Sequence, residues 1–213
     1  MPLKRFDPSL YLVTDLALAA GRPLVDVVGE AIEGGVTMVQ YRDKHAGTRA
    51  MIEGARATLR VAREAGRPLL INDRVDVALA AGADGVHLGQ EDMPVSMARR
   101  LLGPERILGV TATGPDQARE AEREGADYVG CSAVFSTQTK TDTGLPVGLE
   151  GLRELVGSVS LPVVAIGGID QGNAADVMRT GAAGLAVVSA IMGAADPREA
   201  ARRLAALIGA ARG

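Results

Sequence analysis

Asp73 and Asp92 each follow a short apolar run, with amide side chains beside them at Asn72 and Gln90. The run Leu69-Leu70-Ile71 stops at Asn72-Asp73, an Ala-rich segment from Val75 to Ala81 carries the chain back, and Gly85-Val86-His87-Leu88 is the next run. Strand, helix and strand in so few residues make a βαβ crossover, which sets the strands parallel and points both carboxyl ends the same way. Asn72, Asp73, Gln90 and Asp92 then share one rim. They form a hard oxygen set suited to Mg²⁺ carried in on a phosphorylated substrate. Either aspartate taken alone reads better as an N-cap, since Asp is a favoured cap and Met93-Pro94 reads as a helix start. The pair with Asn72 favours metal or phosphate chemistry, because polar residues at the carboxyl ends of barrel strands are usually catalytic.

Cations and hydroxyls collect at other strand ends. Arg42 and Lys44 alternate in Gln40-Tyr41-Arg42-Asp43-Lys44, so both can point to one side. A guanidinium that forks and an ammonium that concentrates charge suit a diphosphate; a solvated charge pair with Asp43 is an even alternative. Thr137-Gln138-Thr139-Lys140 puts hydroxyls on alternate residues with a cation after them. Hydroxyls and backbone N–H groups in a turn can wrap an anion, and the lysine can neutralise a leaving group. Gly167-Gly168 and Val188-Ser189 follow the last two expected strands, where barrels build phosphate sites from backbone amides and a short helix. Close packing is the other use for two glycines. His87 suits a hydrogen-bonded core position as well as a catalytic one, His45 reads as a loop residue, and Cys131 reads as a small buried hydrophobe. Two phosphate regions and a metal pair on one rim imply two phosphorylated substrates, or one with phosphates at both ends.

The elements that must position these groups follow from hydrophobic period. Strands are expected at Leu10–Val13, Val36–Val39, Leu69–Ile71, Gly85–Leu88, Arg106–Val110, Asp127–Cys131, Leu161–Ile166 and Gly184–Val188. Helices are expected at Pro23–Glu33, Thr48–Ala65, Val75–Ala81, Val95–Leu102, Pro115–Glu124, Leu149–Val156, Asn173–Thr180 and Pro197–Ala211. Ser132 to Gly148 is a long loop, a length that in a compact domain is usually functional or disordered. About eight strands alternating with about eight helices is the pattern of an α/β TIM barrel, with a doubly wound open sheet as runner-up. One helix-to-strand turn recurs at Gly35, Gly82, Gly125 and Gly181, before every second strand. Such repetition suits a ring of units, with each glycine ending a helix at positive φ.

Composition narrows the class. At 213 residues, 47% hydrophobic and 23% charged, the chain can bury one substantial core, and a single domain spanning residues 1–213 is the simplest reading. Aromatics are only 2% while glycines number 27, so Val, Ile, Leu and Ala must fill the core. A net charge of -3 and the lack of a basic stripe interleaved with aromatics argue against nucleic acid. Cys131 is the only cysteine, which excludes an internal disulfide and a multi-cysteine zinc site. No signal-peptide core and no run of roughly 18 apolar residues is visible, so no membrane span is expected and a cytoplasmic location fits.

The chain resembles the thiamine-phosphate synthase family along almost its whole length. The resemblance rests on Tyr11-Leu12-Val13-Thr14-Asp15, Gln40-Tyr41-Arg42-Asp43-Lys44, Ile71-Asn72-Asp73, Gly85-Val86-His87-Leu88-Gly89-Gln90-Glu91-Asp92, Thr137-Gln138-Thr139-Lys140 and Ala165-Ile166-Gly167-Gly168-Ile169, in the family's order. It implies a TIM barrel that joins a hydroxymethylpyrimidine diphosphate to a hydroxyethylthiazole phosphate, giving thiamine monophosphate and pyrophosphate, with Mg²⁺ as cofactor. It further implies that Gln40, Tyr41, Arg42, Asp43, Lys44, Asn72, Thr111 and Lys140 bind the pyrimidine diphosphate, and that Asp73 and Asp92 hold the metal. Thr137, Gln138, Thr139, Gly168, Val188 and Ser189 would receive the thiazole phosphate. Thr111 stands where the family more often has serine; the hydroxyl survives, so the pyrimidine contact is expected to survive with added crowding. Cys131-Ser132-Ala133 stands where the family often has Gly-Pro.

By the same resemblance the bond from the pyrimidine methylene to diphosphate breaks largely before the new bond forms, and no protein nucleophile is needed. Lys140, Arg42, Lys44 and Thr111 would be the catalytic side chains. The three cations would stabilise the departing pyrophosphate. A thiazole tautomerase-like isomerase is the nearest alternative, opposed by Asn72, Asp73, Asp92 and Lys140 together. A catalytically silent phosphate-binding barrel is the alternative from another class.

Overall fold

The computed structural model describes residues 6–137 and 145–213. Its order is β1 (Leu10–Val13), α1 (Leu24–Glu33), β2 (Met38–Tyr41), α2 (Thr48–Glu64), β3 (Leu69–Asn72), α3 (Val75–Ala81), β4 (Gly85–Leu88) and α4 (Val95–Leu102). Then come β5 (Ile107–Ala112), α5 (Pro115–Glu124), β6 (Tyr128–Ser132), α6 (Gly148–Val156), β7 (Val163–Ile166), α7 (Ala174–Met178), β8 (Gly184–Val187), α8 (Ser189–Met192) and α9 (Pro197–Arg212). Every strand pairs parallel with the next, and β8 returns to β1 through Leu10 with Leu185 and Tyr11 with Ala186. The sheet is therefore closed, as the alternation predicts, and the open-sheet reading is excluded.

Strand residues alternate between two cores, as the pleat requires. The outward set, including Leu12, Val39, Ile71, Val86, Leu108 and Val129, is buried against the helices. This outer layer is the Val, Ile, Leu and Ala core that composition predicts. The inward set is smaller: Tyr11, Val13, Met38, Leu70, Ile107, Tyr128, Val164 and Ala186 form their own cluster. Two of the few aromatic residues thus sit at the centre of the barrel, which composition did not predict.

Those rings fit because glycines face them. A Cβ on Gly109 would lie 2.1 Å from the ring of Tyr128, and one on Gly130 would lie 3.0 Å from His87. Gly35, Gly82, Gly125 and Gly181 all have positive φ, as the repeated turn predicts. Gly66 before β3 and Gly103 before β5 also have positive φ. Their neighbouring sequences do not share the motif of the repeated turn.

Two strands differ from the sequence reading in ways that matter for chemistry. β2 starts two residues later than expected, because Val36 is taken by the helix-to-strand turn through its bond to the Ala31 carbonyl, and Met38 is the residue in register with Tyr11. Gln40 and Tyr41 therefore lie inside the strand, not beyond it. β5 runs on to Ala112, which brings Thr111 into the sheet beside Gly130.

Gly109→Ala should destabilise the protein by about 1 to 3 kcal/mol in denaturant unfolding, as overpacking against a fixed ring does. Gly209→Ala, in α9 with nothing within 4 Å of the added methyl, should be neutral or stabilising. Equal stability of the two variants would show that Tyr128 is not held against β5.

Candidate active site

A cavity of about 400 Å³ opens at the carboxyl ends of the strands. Arg42 and Lys44 line it while Asp43 does not, in keeping with alternation at the exit of β2. Arg42 is held from two sides. The Thr14 hydroxyl accepts its backbone N–H at 3.0 Å and sits 3.4 Å from its carbonyl oxygen, and Asp15 approaches its guanidinium at 3.5 Å. Thr14 is fully buried, so this clamp is part of the wall.

Tyr41 and Asp43 correct the expectation that all five residues from Gln40 to Lys44 face one ligand. Tyr41 points out of the barrel, buried in the helix-side core where Gly54 makes room for its ring. Asp43 turns its carboxylate back to accept the N–H groups of His45 and Ala46 at 3.0 Å each. Strand alternation sends the first outward, and a local turn claims the second.

Asn72, Asp73 and Asp92 all line the cavity. Neither aspartate caps a helix, because the N-cap positions of α3 and α4 are Arg74 and Pro94 and neither makes a side-chain cap bond. Asp73 has φ of +63°, an uncommon conformation for a residue other than glycine. Its N–H bonds the His87 carbonyl at 2.8 Å and the next N–H bonds the Asn72 carbonyl at 2.7 Å, so the turn is fixed from both sides. One oxygen of Asp92 accepts the Gly89 N–H at 2.6 Å. Gln90 also lines the cavity, and its side-chain amide ties the rim to the Thr111 carbonyl at 2.6 Å.

Among the described residues no group of three or more His, Cys, Asp or Glu converges as a metal cage. Two carboxylates on one cavity still suit Mg²⁺, which commonly takes one or two protein carboxylates and completes its shell with water and substrate phosphate.

The cavity floor is polar. The Gln40 amide donates to the Tyr11 hydroxyl at 2.7 Å, the hydroxyls of Tyr11 and Tyr128 are 3.1 Å apart, and His87 joins Tyr128 through Nδ1 at 2.8 Å and Thr111 through Nε2 at 2.9 Å. Burial raises the pKa of both phenols. His87 is thus both a hydrogen-bonded interior histidine and a wall of the cavity. From sequence, Tyr11, Thr14 and Asp15 enter only in a motif that carries the resemblance and Tyr128 only within a strand, and none of the four was given a role. The available signal was an aromatic at an inward strand position in a chain with so few aromatics.

A smaller recess of about 50 Å³ adjoins the cavity and shares Ser132, Ile166, Ala186 and Val188 with it. Thr137, Gly168, Val188 and Ser189 line this recess together, as their strand-end positions suggest. Gly167 and Gly168 also serve packing, since added methyls would lie 2.6 Å from Ala133 and from the Ser136 carbonyl oxygen respectively. Gln138, Thr139 and Lys140 lie outside the described residues.

Cys131 points away from this chemistry. Burial pushes its thiol up to about 12, so at pH 8 the thiolate is a negligible fraction. The folded protein should remain unmodified by a thiol reagent at pH 8 and react fully once denaturant is added. Rapid reaction of the native protein would contradict the burial.

Comparison with known proteins agrees with this geometry. The model of a family described as thiamine monophosphate synthase matches residues 10–191. A thiamine-phosphate synthase of Chloroflexus aurantiacus is 56% identical over 95% of this chain and 93% of its own length. One of Moorella thermoacetica is 50% identical over 96% and 97%. Among solved structures, a thiamine phosphate pyrophosphorylase from Pyrococcus furiosus superposes with a TM-score of 0.90 at 45% identity, covering 97% of this chain and 98% of its own. A match of this extent, on a barrel whose polar residues gather at one mouth, places the chain in the thiamine monophosphate synthase family.

Proposed function

We propose that the protein condenses a 4-amino-5-(diphosphooxymethyl)pyrimidine with a thiazole phosphate, releasing pyrophosphate and forming thiamine monophosphate. The observation that carries this reading is a single mouth lined by Arg42, Lys44, Asp73 and Asp92, with an adjoining glycine-lined recess. Arg42 and Lys44 would take the diphosphate, the first by forked hydrogen bonds and the second by point charge. Gln40 and Asn72 would orient the pyrimidine with Thr111. Gly168, Val188, Ser189 and the segment Thr137 to Thr139 would seat the thiazole phosphate. Tyr41 and Asp43 support the wall rather than the ligand.

Asp73 and Asp92 would hold Mg²⁺, which supplies charge to the departing diphosphate. Arg42 and Lys44, at the same mouth, would do the same work, and Lys140 would add to them. Their charge lowers the barrier to the extent that its hold tightens as the leaving group becomes more negative. The thiazole recess beside the pyrimidine floor would keep the two rings in contact distance, which removes much of the entropy cost of bringing them together. No step requires a protein nucleophile, and Cys131 is not arranged to be one.

Among the described residues no helix is long and apolar enough to cross a membrane. Together with small phosphorylated substrates this supports a cytoplasmic site of action. A thiazole tautomerase would share the recess but would have no use for a diphosphate side opposite it.

The deciding assay is incubation with both substrates and Mg²⁺. A synthase releases pyrophosphate, whereas a tautomerase or a silent binding barrel releases none. Asp73→Asn and Asp92→Asn should each raise the Mg²⁺ requirement and lower turnover while leaving the unfolding transition in place; full activity at low Mg²⁺ in both would remove the metal assignment. Ser189→Asp should raise KM for the thiazole phosphate far more than for the pyrimidine diphosphate, since a carboxylate repels the phosphate there. A similar rise for both substrates would contradict the division of the mouth.

A further inference from the structure

The face of the barrel opposite the mouth carries a second hollow, and its lining is basic. The turns that lead from α2 to β3, from α3 to β4 and from α4 to β5 enclose about 600 Å³ at the amino ends of those strands. Arg63, Arg67 and Arg106 line it together with Asp84 and Glu105, so three guanidinium groups share it with two carboxylates. We propose that it is an anion site separate from the mouth, in which Arg67 takes a phosphate group through a forked pair of N–H donors while Arg63 and Arg106 add charge. The site does not depend on the reaction assigned above.

The two neighbouring arginines are engaged with the protein. Arg63 Nη2 donates to the Gly82 carbonyl at 2.7 Å and to Asp84 Oδ1 at 3.0 Å, and Asp84 Oδ2 accepts the Leu69 N–H at 2.9 Å. Arg106 reaches the Ala83 and Leu102 carbonyls at 3.3 Å each. Arg67 differs. Its Nε is the one buried side-chain nitrogen or oxygen with no hydrogen-bond partner among the described residues. Buried donors in folded proteins almost always have an acceptor, so a lone one on the wall of a hollow marks where a ligand atom belongs.

The backbone that carries Arg67 is fixed. Gly66 turns the chain after α2 with φ of +66°, the Arg67 N–H bonds the Ala62 carbonyl at 2.8 Å, and the Pro68 carbonyl accepts the Val39 N–H at 3.1 Å. A side chain rooted in this way loses less freedom on meeting a ligand.

Phosphate matches the donor set. A guanidinium is always charged and presents its N–H groups in one plane, as a rigid fork that pairs with two oxygens of a phosphate. The rest of the volume, in the range of small-ligand pockets, has room for the organic part of a phosphate ester. β3 and β5 run from this hollow to the mouth, where they present Asn72 and Thr111. The two sites therefore lie at opposite ends of the same strands, and they share no lining residue.

Arginine ¹H–¹⁵N spectra of the whole protein read the site directly, with the Nε–H signal of Arg67 assigned by its loss in Arg67→Lys. Titration with inorganic phosphate at constant ionic strength should move that signal saturably, and should do so equally in the double variant Arg42→Ala, Lys44→Ala, in which the mouth is weakened. Arg67→Ala, checked for an unchanged unfolding transition, should lower the phosphate affinity read on the Arg106 signal by about tenfold or more, the loss of hydrogen bonds to a charged group. Phenyl phosphate brings the same anion on an apolar ring: tighter binding than inorganic phosphate assigns the hollow to a phosphate ester, and equal binding assigns it to the free ion. A shift no larger than chloride produces at the same ionic strength, or one that is lost in the double variant, would overturn the proposal. So would a move of the Arg67 signal in phosphate-free Glu105→Gln, which would make Glu105 the partner of Arg67 in solution.

Discussion

Closure of the parallel sheet is the constraint on which everything else rests. Once β8 pairs with β1, no strand edge remains and the inward residues of all eight strands must share one narrow interior. Side chains such as Met38, Leu70, Ile107 and Val164 fill part of it, with Phe6 packed against the same cluster. Further along the strands the inward positions become Gln40, Asn72, His87, Thr111 and Ser132, all of which line the mouth. The larger helix-side core and this apolar plug together supply the burial, which frees the other end of the same strands to be polar.

Polar groups inside a barrel are costly unless each finds a partner. Here the partners are one another, across strands distant in sequence. The arrangement also depends on volume: two tyrosine rings and an imidazole occupy an interior usually filled by branched aliphatics, and they fit only because Gly109 and Gly130 contribute no side chain. Small facing large is thus a requirement of the chemistry as well as of packing. A linked set of hydrogen bonds of this kind is stiff, which suits a floor that must present one face to its ligand.

At the rim the same logic is carried by backbone. Thr14 clamps the main chain of Arg42, the turn at Asp73 is fixed by bonds on both flanking amides, and Asp92 is pinned by the Gly89 amide. Gly167 and Gly168 are wedged against Ala133 to Ser136, and the Val134 and Phe135 N–H groups bond the Ile166 and Gly167 carbonyls, which ties residues 133–136 to the turn after β7. Charged side chains on a mouth of this sort gain most where their backbones cannot drift, because preorganised charge needs no reorganisation when the leaving group departs.

What the sequence by itself determined is everything that depends on neighbours within a turn or a strand. The strand and helix alternation, the positive-φ glycines at Gly35, Gly82, Gly125 and Gly181, and the gathering of Arg42, Lys44, Asn72, Asp73 and Asp92 at strand exits all follow from local period and turn chemistry. The tertiary structure decided which way borderline residues face. Hydrophobic period cannot set a register, so it could not show that β2 begins at Met38, that Tyr41 leaves the mouth for the helix-side core, or that β5 carries Thr111 inward. Nor could it join Tyr11 to Tyr128, which are separated by 117 residues and meet only because the barrel closes. Such contacts arise from the pairing of distant strands, and no local pattern encodes the partner.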